Sequence, residues 1–239
     1  MKRIYIALCI LALAFPLSAA TVTVYGSANI YAAGQASPPY SPGPFWGTPG
    51  YGGTLPTLYM LIAGQPVLHF TSVTGLVGCC SDKPQNGPDG GTDFSTDINS
   101  LAGISGIIAP TDMFLAGVFL TDAPPSDVAP ERLNFTVLGT DFSSISPELS
   151  QVFFIGDGRR SGGTTLQDFV VPSGATRLYL GFVDGVGFVA NPGAYGDNTG
   201  YLTVGINNDQ APEPASMLLV FSGALALFVG RKFCKSTWD

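Results

Sequence analysis

The sequence predicts an all-β protein, an antiparallel β-sandwich, with a hydrophobic segment at each end of the chain. Short segments rich in β-branched and aromatic residues recur along the chain, and Gly, Pro, Asn or Asp bounds each of them. In addition, no segment shows a sustained helical period. Short strands at such spacings are typical of an antiparallel β-sandwich.

The predicted strands lie between residues 22 and 207. In chain order they are VTVYGSANIY, PVLHFTSVTG, FLAGVFL, LNFTVLG, QVFFIGDG, DFVVP, ATRLYLGFVDG and GYLTVGIN. Residues 34–56, GQASPPYSPGPFWGTPGYGGTLP, are instead rich in Pro and Gly and predict a long surface loop.

The first 20 residues have the pattern of a secretory signal peptide. Lys2 and Arg3 precede the uncharged run IYIALCILALAF, and Ser18, Ala19 and Ala20 are small residues at a cleavage site. We therefore expect residues 1–20 to direct export and to be removed.

The other hydrophobic segment lies near the chain end. The 17 residues from Pro214 to Gly230 are uncharged, which is near the lower limit for crossing a bilayer. Arg231, Lys232 and Lys235 follow and predict a cytoplasmic tail tip, with the preceding domain outside.

The motif Pro212-Glu213-Pro214, followed by this apolar run and a basic end, resembles the PEP-CTERM sorting signal. The resemblance implies a Gram-negative bacterium that makes exopolysaccharide, with an exosortase as partner in the inner membrane. It also implies anchoring through the helix of residues 211–239 and later release to the cell surface or matrix.

Residues 21–210 remain as one β-sandwich domain, long enough to bury a sizeable core. They carry 15 Asp and Glu against 5 Lys and Arg. This acidic balance argues against nucleic acid, which requires a basic surface, and suits cation binding.

No motif predicts catalysis, so we predict that the protein is not an enzyme. The chain has one histidine, His69, inside a predicted strand, and we expect it to be structural. Arg159 and Arg160 after Gly158 would suit an anion, but a solvated turn is the more common role. Metal-binding histidine pairs, nucleophile elbows and phosphate loops are not found in the sequence.

One loop carries a pattern that suits a hard cation. Asp184 precedes a tight segment, PGAYGDNTG, which contains Asp197 and Asn198. Calcium takes six to eight oxygen ligands of this mixed kind. Ordinary turn chemistry explains the same residues, because Asp-Gly and Asp-Asn are favoured in turns without any metal.

The segment PGAYGDNTGYLTVGINNDQ resembles the C-terminal strand of the calcium-dependent galactophilic bacterial lectins. VYGSANIYAAGQ, PVLHFTSVTG, NGPDGG and FVVPSGATRLYLGFVD are similar to earlier parts of that family, in the same order. The resemblance implies an antiparallel sandwich with calcium and sugar bound at one end, the sugar hydroxyls completing the calcium shell.

The resemblance also implies a ligand set for calcium. It comprises the side chains of Asp184, Asp197 and Asn198, the backbone carbonyl of Ala194, and a carbonyl from Cys79 or Cys80. Asp197 stands where the family has an amide, and residues 185–191 are an insertion after Asp184. The histidine that the family uses to contact sugar has no counterpart, so the galactose preference does not carry over.

Cys79 and Cys80 are the two cysteines of the predicted mature domain. A bridge between neighbours is strained, because adjacent Cα atoms are only about 3.8 Å apart. The predicted compartment is oxidising, which leaves a vicinal disulfide, two free thiols or intermolecular bonds. Elimination favours the vicinal disulfide.

The sequence favours two functions. The first is a calcium-dependent carbohydrate-binding protein of the envelope or exopolysaccharide matrix. The alternative is a structural matrix protein that uses the same sandwich without a ligand. An enzyme acting on polysaccharide has the least support.

Overall fold

The computed structural model describes residues 20–38, 52–80, 84–126 and 128–207. These residues are mostly β, with three sheets and almost no helix, which confirms the predicted class in its coarse form. Residues 1–19 of the predicted signal peptide, the Pro212–Pro214 motif, the predicted membrane helix and most of the Pro/Gly-rich loop lie outside the described residues, whereas Ala20 begins the first strand. Among the helices within those ranges, none has the length and apolar character to cross a membrane.

Thirteen strands follow one another in the described ranges. They are β1 (Ala20–Tyr25), β2 (Thr57–Met60), β3 (Val67–Gly78), β4 (Thr96–Ile98), β5 (Ile107–Ala109), β6 (Ala116–Leu120), β7 (Leu133–Asn134), β8 (Ser144–Ile145), β9 (Val152–Phe154), β10 (Asp168–Val170), β11 (Arg177–Gly181), β12 (Val189–Ala190) and β13 (Thr199–Asn207). The helical elements there are α1 (Phe135–Leu138) and three 3-10 turns, Ile30–Ala32, Val186–Phe188 and Tyr195–Asp197.

The largest sheet has the strand order β1-β13-β3-β10-β8. A second sheet has the order β2-β11-β6-β9, and a third has the order β12-β4-β5-β7. The long antiparallel pair β3–β13 dominates the first sheet, running from Thr199 opposite Gly78 to Asn207 opposite His69. This pair positions the candidate site, because the loops that carry Cys79 and Asn198 leave the two strands at the same end.

The first two sheets bury one hydrophobic core between them. Phe169 of the first sheet lies 5.8 Å, centroid to centroid, from Phe153 of the second, and Phe70 packs edge-on against Phe169 at 4.9 Å. Alternate residues of β13, Leu202 and Val204, point into the same core. Such burial is the main favourable contribution to folding.

Two predicted strands are shorter than the sequence indicated, each for the same reason. The strand expected over residues 22–31 ends at Tyr25, and Asn29 starts a 3-10 turn by accepting the Tyr31 N–H at 2.9 Å. Likewise, Asn134 accepts the Thr136 N–H at 3.0 Å, and the following residues of LNFTVLG, Phe135–Leu138, form α1. In both cases an asparagine side chain caps a turn that β-propensity alone does not predict.

The pairing is not purely antiparallel. The short pairs β8–β10, β4–β12 and β5–β7 are parallel. All three pairs are formed by strands of two or three residues.

Candidate metal centre

The candidate site lies where the β3–β13 pair ends. Thr199 and Gly78 are register partners, so Asn198 and Cys79 leave the two strands side by side. Asp184 reaches the same place from the end of β11. Long-range strand pairing therefore assembles residues that are more than 100 positions apart in the chain.

Asp184 is 2% exposed, and the fully buried Tyr195 holds its backbone. The Asp184 N–H donates to the Tyr195 hydroxyl at 3.1 Å, and that hydroxyl donates to the Phe182 carbonyl at 3.1 Å. In addition, the Gly193 N–H donates to the Asp184 carbonyl at 2.9 Å. The loop is thus closed around the carboxyl group.

The inserted residues 185–191 do not separate Asp184 from the rest of the loop. A bridge between Gly185 and Pro192 closes the insertion at its base. Its far end is held by β12, which pairs with β4, and by Phe188, which packs 5.5 Å from Phe94. In space, the chain therefore continues from Asp184 almost directly into the segment that begins at Pro192.

Two buried oxygen atoms at this site have no hydrogen-bond partner. The Asp184 Oδ1 accepts the Gly185 N–H at 2.6 Å, but Oδ2 has no donor. The Asn198 Nδ2 donates to the Gly26 carbonyl at 3.1 Å, which fixes the amide orientation and leaves its Oδ1 unpartnered. Buried polar atoms are rarely left unsatisfied, so each of these oxygens calls for an explanation.

The electrostatics of the site favour a neutral carboxyl group at Asp184. Its pKa is raised to about 8, chiefly by burial and to a smaller degree by the charges of Asp197 and Asp112, while hydrogen bonds from the Asn198 side chain and the Gly185 N–H oppose the rise. In the absence of a cation, this carboxyl group therefore holds a proton near neutral pH.

Asp112 is a member of the site that the sequence analysis missed. It is buried, and its carboxylate accepts the Asn86 Nδ2 at 3.2 Å and the Phe94 N–H at 2.8 Å. Burial raises its pKa. No local motif marks Asp112, because only the tertiary fold brings its charge within range of Asp184.

Ala194 and Asp197 of the predicted ligand set lie at the two ends of one turn. Ala194 adopts a left-handed conformation, with φ of 67°, and begins the turn Tyr195–Asp197. Asp197 is half-buried, and its charge acts on Asp184. No direct contact between these two carboxylates is seen in the described residues.

Cys79 and Cys80 lie at the same end of the sheet. Burial raises the pKa of the Cys79 thiol, as do its contact with Cys80 and the charges of Asp184 and Asp112. No disulfide bond joins the two cysteines here, and their sulfur atoms lie 2.7 Å apart. The vicinal disulfide therefore stays a prediction.

Within the described ranges, no group of three or more His, Cys, Asp or Glu side chains is placed to hold a metal ion. A cation at this site would need amide and backbone carbonyl oxygens in addition to carboxylates. Calcium accepts such ligands, whereas zinc and other soft metals prefer imidazole and thiolate.

The remaining candidates from the sequence lie elsewhere. His69 is nine residues before Gly78 along β3, about 30 Å away along an extended strand, and its Nε2 lies 2.7 Å from the Asp168 Oδ1. Arg159 donates to the carbonyls of Thr71 and Gly163, and Arg160 faces Asp141 at 3.5 Å. These arginine contacts hold loops together and do not converge on a ligand site.

No family model, curated protein or solved structure matches this chain.

Proposed function

We propose that this chain is an exported protein whose β-rich domain binds calcium at Asp184 and Asn198 and, through the calcium, carbohydrate. The observation that supports the proposal most strongly is the pair of buried, unpartnered oxygens, Asp184 Oδ2 and Asn198 Oδ1. Two acceptor oxygens cannot satisfy each other. A proton on the carboxyl group would allow it to donate to the amide oxygen, and a cation between them would supply both oxygens with a partner.

The ligand set around these two atoms is the one that the lectin resemblance implies. Asp184 and Asn198 would each supply one side-chain oxygen, and Asp197 would supply a second carboxylate. Backbone carbonyls of Ala194 and of Cys79 or Cys80 would complete the protein's share. Two carboxylates, one amide and carbonyls are the mixture of oxygens that calcium accepts.

The carbohydrate step rests on the resemblance to the galactophilic lectins. We propose that the first and second sheets form the antiparallel sandwich of that family, with the calcium at the end of β3 and β13. A vicinal diol would then complete the calcium coordination. Cys80 is exposed and Asp197 is half-buried, which supports access for a sugar from solvent.

The location follows from the two chain ends. The signal peptide of residues 1–20 would export the protein, and the helix after Pro214 would anchor it in the inner membrane. An exosortase would then recognise Pro212-Glu213-Pro214. The glycan partner would be exopolysaccharide at the cell surface or in the matrix.

Calcium-dependent thermal stability tests the metal site. Extracellular modules bind calcium with dissociation constants of roughly 0.1 to 1 mM, so millimolar calcium should stabilise the protein by about 0.5 to 1.5 kcal/mol, or a few degrees in melting temperature. Asp184→Asn should abolish this rise. Magnesium should reproduce little of it, because magnesium dehydrates reluctantly.

Glu148→Gln serves as the matched control, since it removes an exposed carboxylate outside the site. It should retain the full calcium response. A melting temperature of the unchanged protein that ignores both calcium and chelator would refute the calcium site. A glycan array with and without calcium then tests sugar binding, and calcium binding without any glycan signal would favour a structural matrix protein.

A further inference from the structure

The outward face of the first sheet carries a regular grid of side chains. Strand register places Tyr25, Tyr201 and Leu76 in one row across β1, β13 and β3. The next two rows on the same face are Thr23, Thr203 and Thr74, followed by Thr21, Gly205 and Ser72. We call these nine residues the tyrosine–threonine face.

The first row of this face is apolar and open to solvent. Tyr25 is 60% exposed, Tyr201 is 53% exposed and Leu76 is 49% exposed. The two tyrosine rings lie 6.1 Å apart, centroid to centroid, with their planes tilted by 59°. Large side chains in a contiguous exposed row on a sheet face are a sign of a binding surface.

The other two rows are rich in hydroxyl groups. Five of their six residues are Thr or Ser, and the sixth is Gly205. Successive rows on one face of a strand are about 7 Å apart. The two hydroxyl rows therefore lie about 7 Å and about 14 Å from the tyrosine row. The face therefore combines aromatic rings with hydrogen-bonding hydroxyls.

None of the nine residues is charged, although the whole chain has 17 acidic and 10 basic residues. A face without Lys or Arg offers nothing to phosphate groups of nucleic acids or acidic lipids. It also offers no carboxylate to a basic partner. Its chemistry is complementary to a neutral ligand that is rich in hydroxyl groups and has apolar ring faces.

We propose that the tyrosine–threonine face binds a single chain of neutral polysaccharide. The C–H face of a pyranose ring packs on an aromatic ring, and the sugar hydroxyls pair with the threonine hydroxyls. The 59° tilt between the rings does not match a flat crystalline surface, whereas a single twisted glycan chain can follow it. The choice of a carbohydrate as the ligand rests on the proposed carbohydrate-binding function. Binding of the polysaccharide at this face does not require calcium.

The face is continuous with the candidate metal centre. Tyr201 lies three residues after Asn198, about 10 Å along the strand. The Gly26 carbonyl that accepts the Asn198 amide directly follows Tyr25. A glycan held at the calcium could therefore continue across the tyrosine row, which would make the face an extension of the same binding surface.

A second copy of this chain is a poorer match for the face. Stable protein interfaces use about 20 to 30 residues on each side around an apolar centre. Here the apolar part is one row of three side chains, and hydroxyl groups make up most of the rest.

Native affinity electrophoresis of the whole protein tests the proposal. The gels contain a soluble β-glucan, a galactomannan or a dextran, and are run with calcium or with chelator. We expect at least one polysaccharide to retard the protein equally in both conditions. Tyr201→Ala and Leu76→Ala should each weaken the retardation by about ten-fold or more, as loss of a central contact does.

Leu58→Ala is the matched control, because Leu58 is an equally exposed strand leucine on the second sheet. This variant should bind like the unchanged protein. Retardation in the presence of chelator separates this proposal from the metal site. Tyr201→Ala, Leu76→Ala and Leu58→Ala should keep the circular dichroism spectrum and melting temperature of the unchanged protein.

Three results would overturn the proposal. The first is no retardation by any of the three polysaccharides. The second is retardation that Tyr201→Ala and Leu76→Ala leave unchanged, because the ligand then binds elsewhere, or retardation that chelator abolishes, because the ligand then binds only through the metal. The third is concentration-dependent self-association that Tyr201→Ala removes, because the face then binds a second copy.

Discussion

Asp184 combines three properties that belong to the scale of the single residue. It is buried, it has one oxygen without a partner, and its pKa is raised to about 8, chiefly by burial. A carboxyl group in this state either holds a proton or requires a cation. The choice between them depends on pH and on calcium, and both can be varied in solution.

The calcium-free protein should lose stability as pH rises from about 4 to about 8. The unfolded carboxyl group ionises near its ordinary pKa of about 3.9, whereas the folded one keeps its proton up to about 8. In this window the folded state binds more protons, so the free energy of unfolding falls with rising pH. Urea titrations at successive pH values with chelator present measure this slope.

Calcium should reverse that trend, and binding should release a proton below pH 8. Calorimetric titrations in buffers of different ionisation enthalpy count that proton. Asp184→Asn should flatten the pH dependence in this window, because the amide does not titrate. An unchanged slope in this variant would assign the dependence to other groups.

Two buried tyrosine hydroxyls provide a second comparison at this scale. The Tyr195 hydroxyl links the Asp184 N–H and the Phe182 carbonyl, whereas the Tyr31 hydroxyl is buried without a partner. Tyr195→Phe should destabilise the protein by about 1 to 3 kcal/mol and reduce the calcium response, because it leaves the buried Asp184 N–H without its acceptor. Tyr31→Phe should be neutral or slightly stabilising. Chemical denaturation of both variants checks the contrast, and equal losses would contradict the assigned role of Tyr195.

At the scale of the element, the β3–β13 pair holds the site together. Gly75 lies in the middle of β3 with a φ of 121°, opposite Leu202, and a side chain there would run into the Tyr201 carbonyl. The register also shifts at Gly205 and Ile206 near the other end of the pair. Irregularities of this kind change the twist of a strand pair and the direction in which its ends point.

Gly75→Ala should therefore be far more costly than a glycine substitution in open space. Gly64 also has a positive φ, 79°, but no atom lies within 4 Å of an added Cβ. Gly64→Ala should cost about 1 to 2 kcal/mol for the left-handed backbone alone, and Gly75→Ala at least about 3 kcal/mol because a clash is added. Denaturation midpoints of the two variants give the difference. Similar costs would show that the strand pair relaxes around the new side chain.

At the scale of the whole molecule, three parts of the chain have separate predicted tasks. In the proposed function, a leader would export the protein, the β-rich domain would bind its ligand, and a tail from residue 211 would anchor and sort it. The domain is the part that the structure describes. The tail remains a prediction from sequence, and its test requires a host with an exosortase.

Replacing Pro212-Glu213-Pro214 with three alanines should leave export intact and block removal of the tail. The two prolines keep the backbone extended and unable to donate hydrogen bonds, which suits recognition by a processing enzyme. Mass spectrometry of the protein from such a host follows the tail directly. Normal tail removal in this variant would disprove the role of the motif, whereas Ala215→Ser, which leaves the motif intact, should be processed normally.

Local sequence chemistry was sufficient to predict the β class and the loop that carries Asp184, Asp197 and Asn198. Alternation of apolar residues places strands such as β1, β3 and β13, since a strand exposes and buries alternate side chains. It did not predict α1, because Asn134 caps a turn within a sequence of β-forming residues. It also missed strands as short as β4 and β5, whose pairing depends on distant partners.

Only the tertiary structure decided which of these residues act together. Strand pairing placed Asn198 beside Cys79, closed the insertion after Asp184, and brought the charge of Asp112 within range of that carboxyl group. The same pairing aligned Tyr25, Tyr201 and Leu76 in one row. Residue type and spacing determine strands and turns because those depend on near neighbours, whereas burial, unpaired atoms and surface rows depend on contacts between residues far apart in the chain.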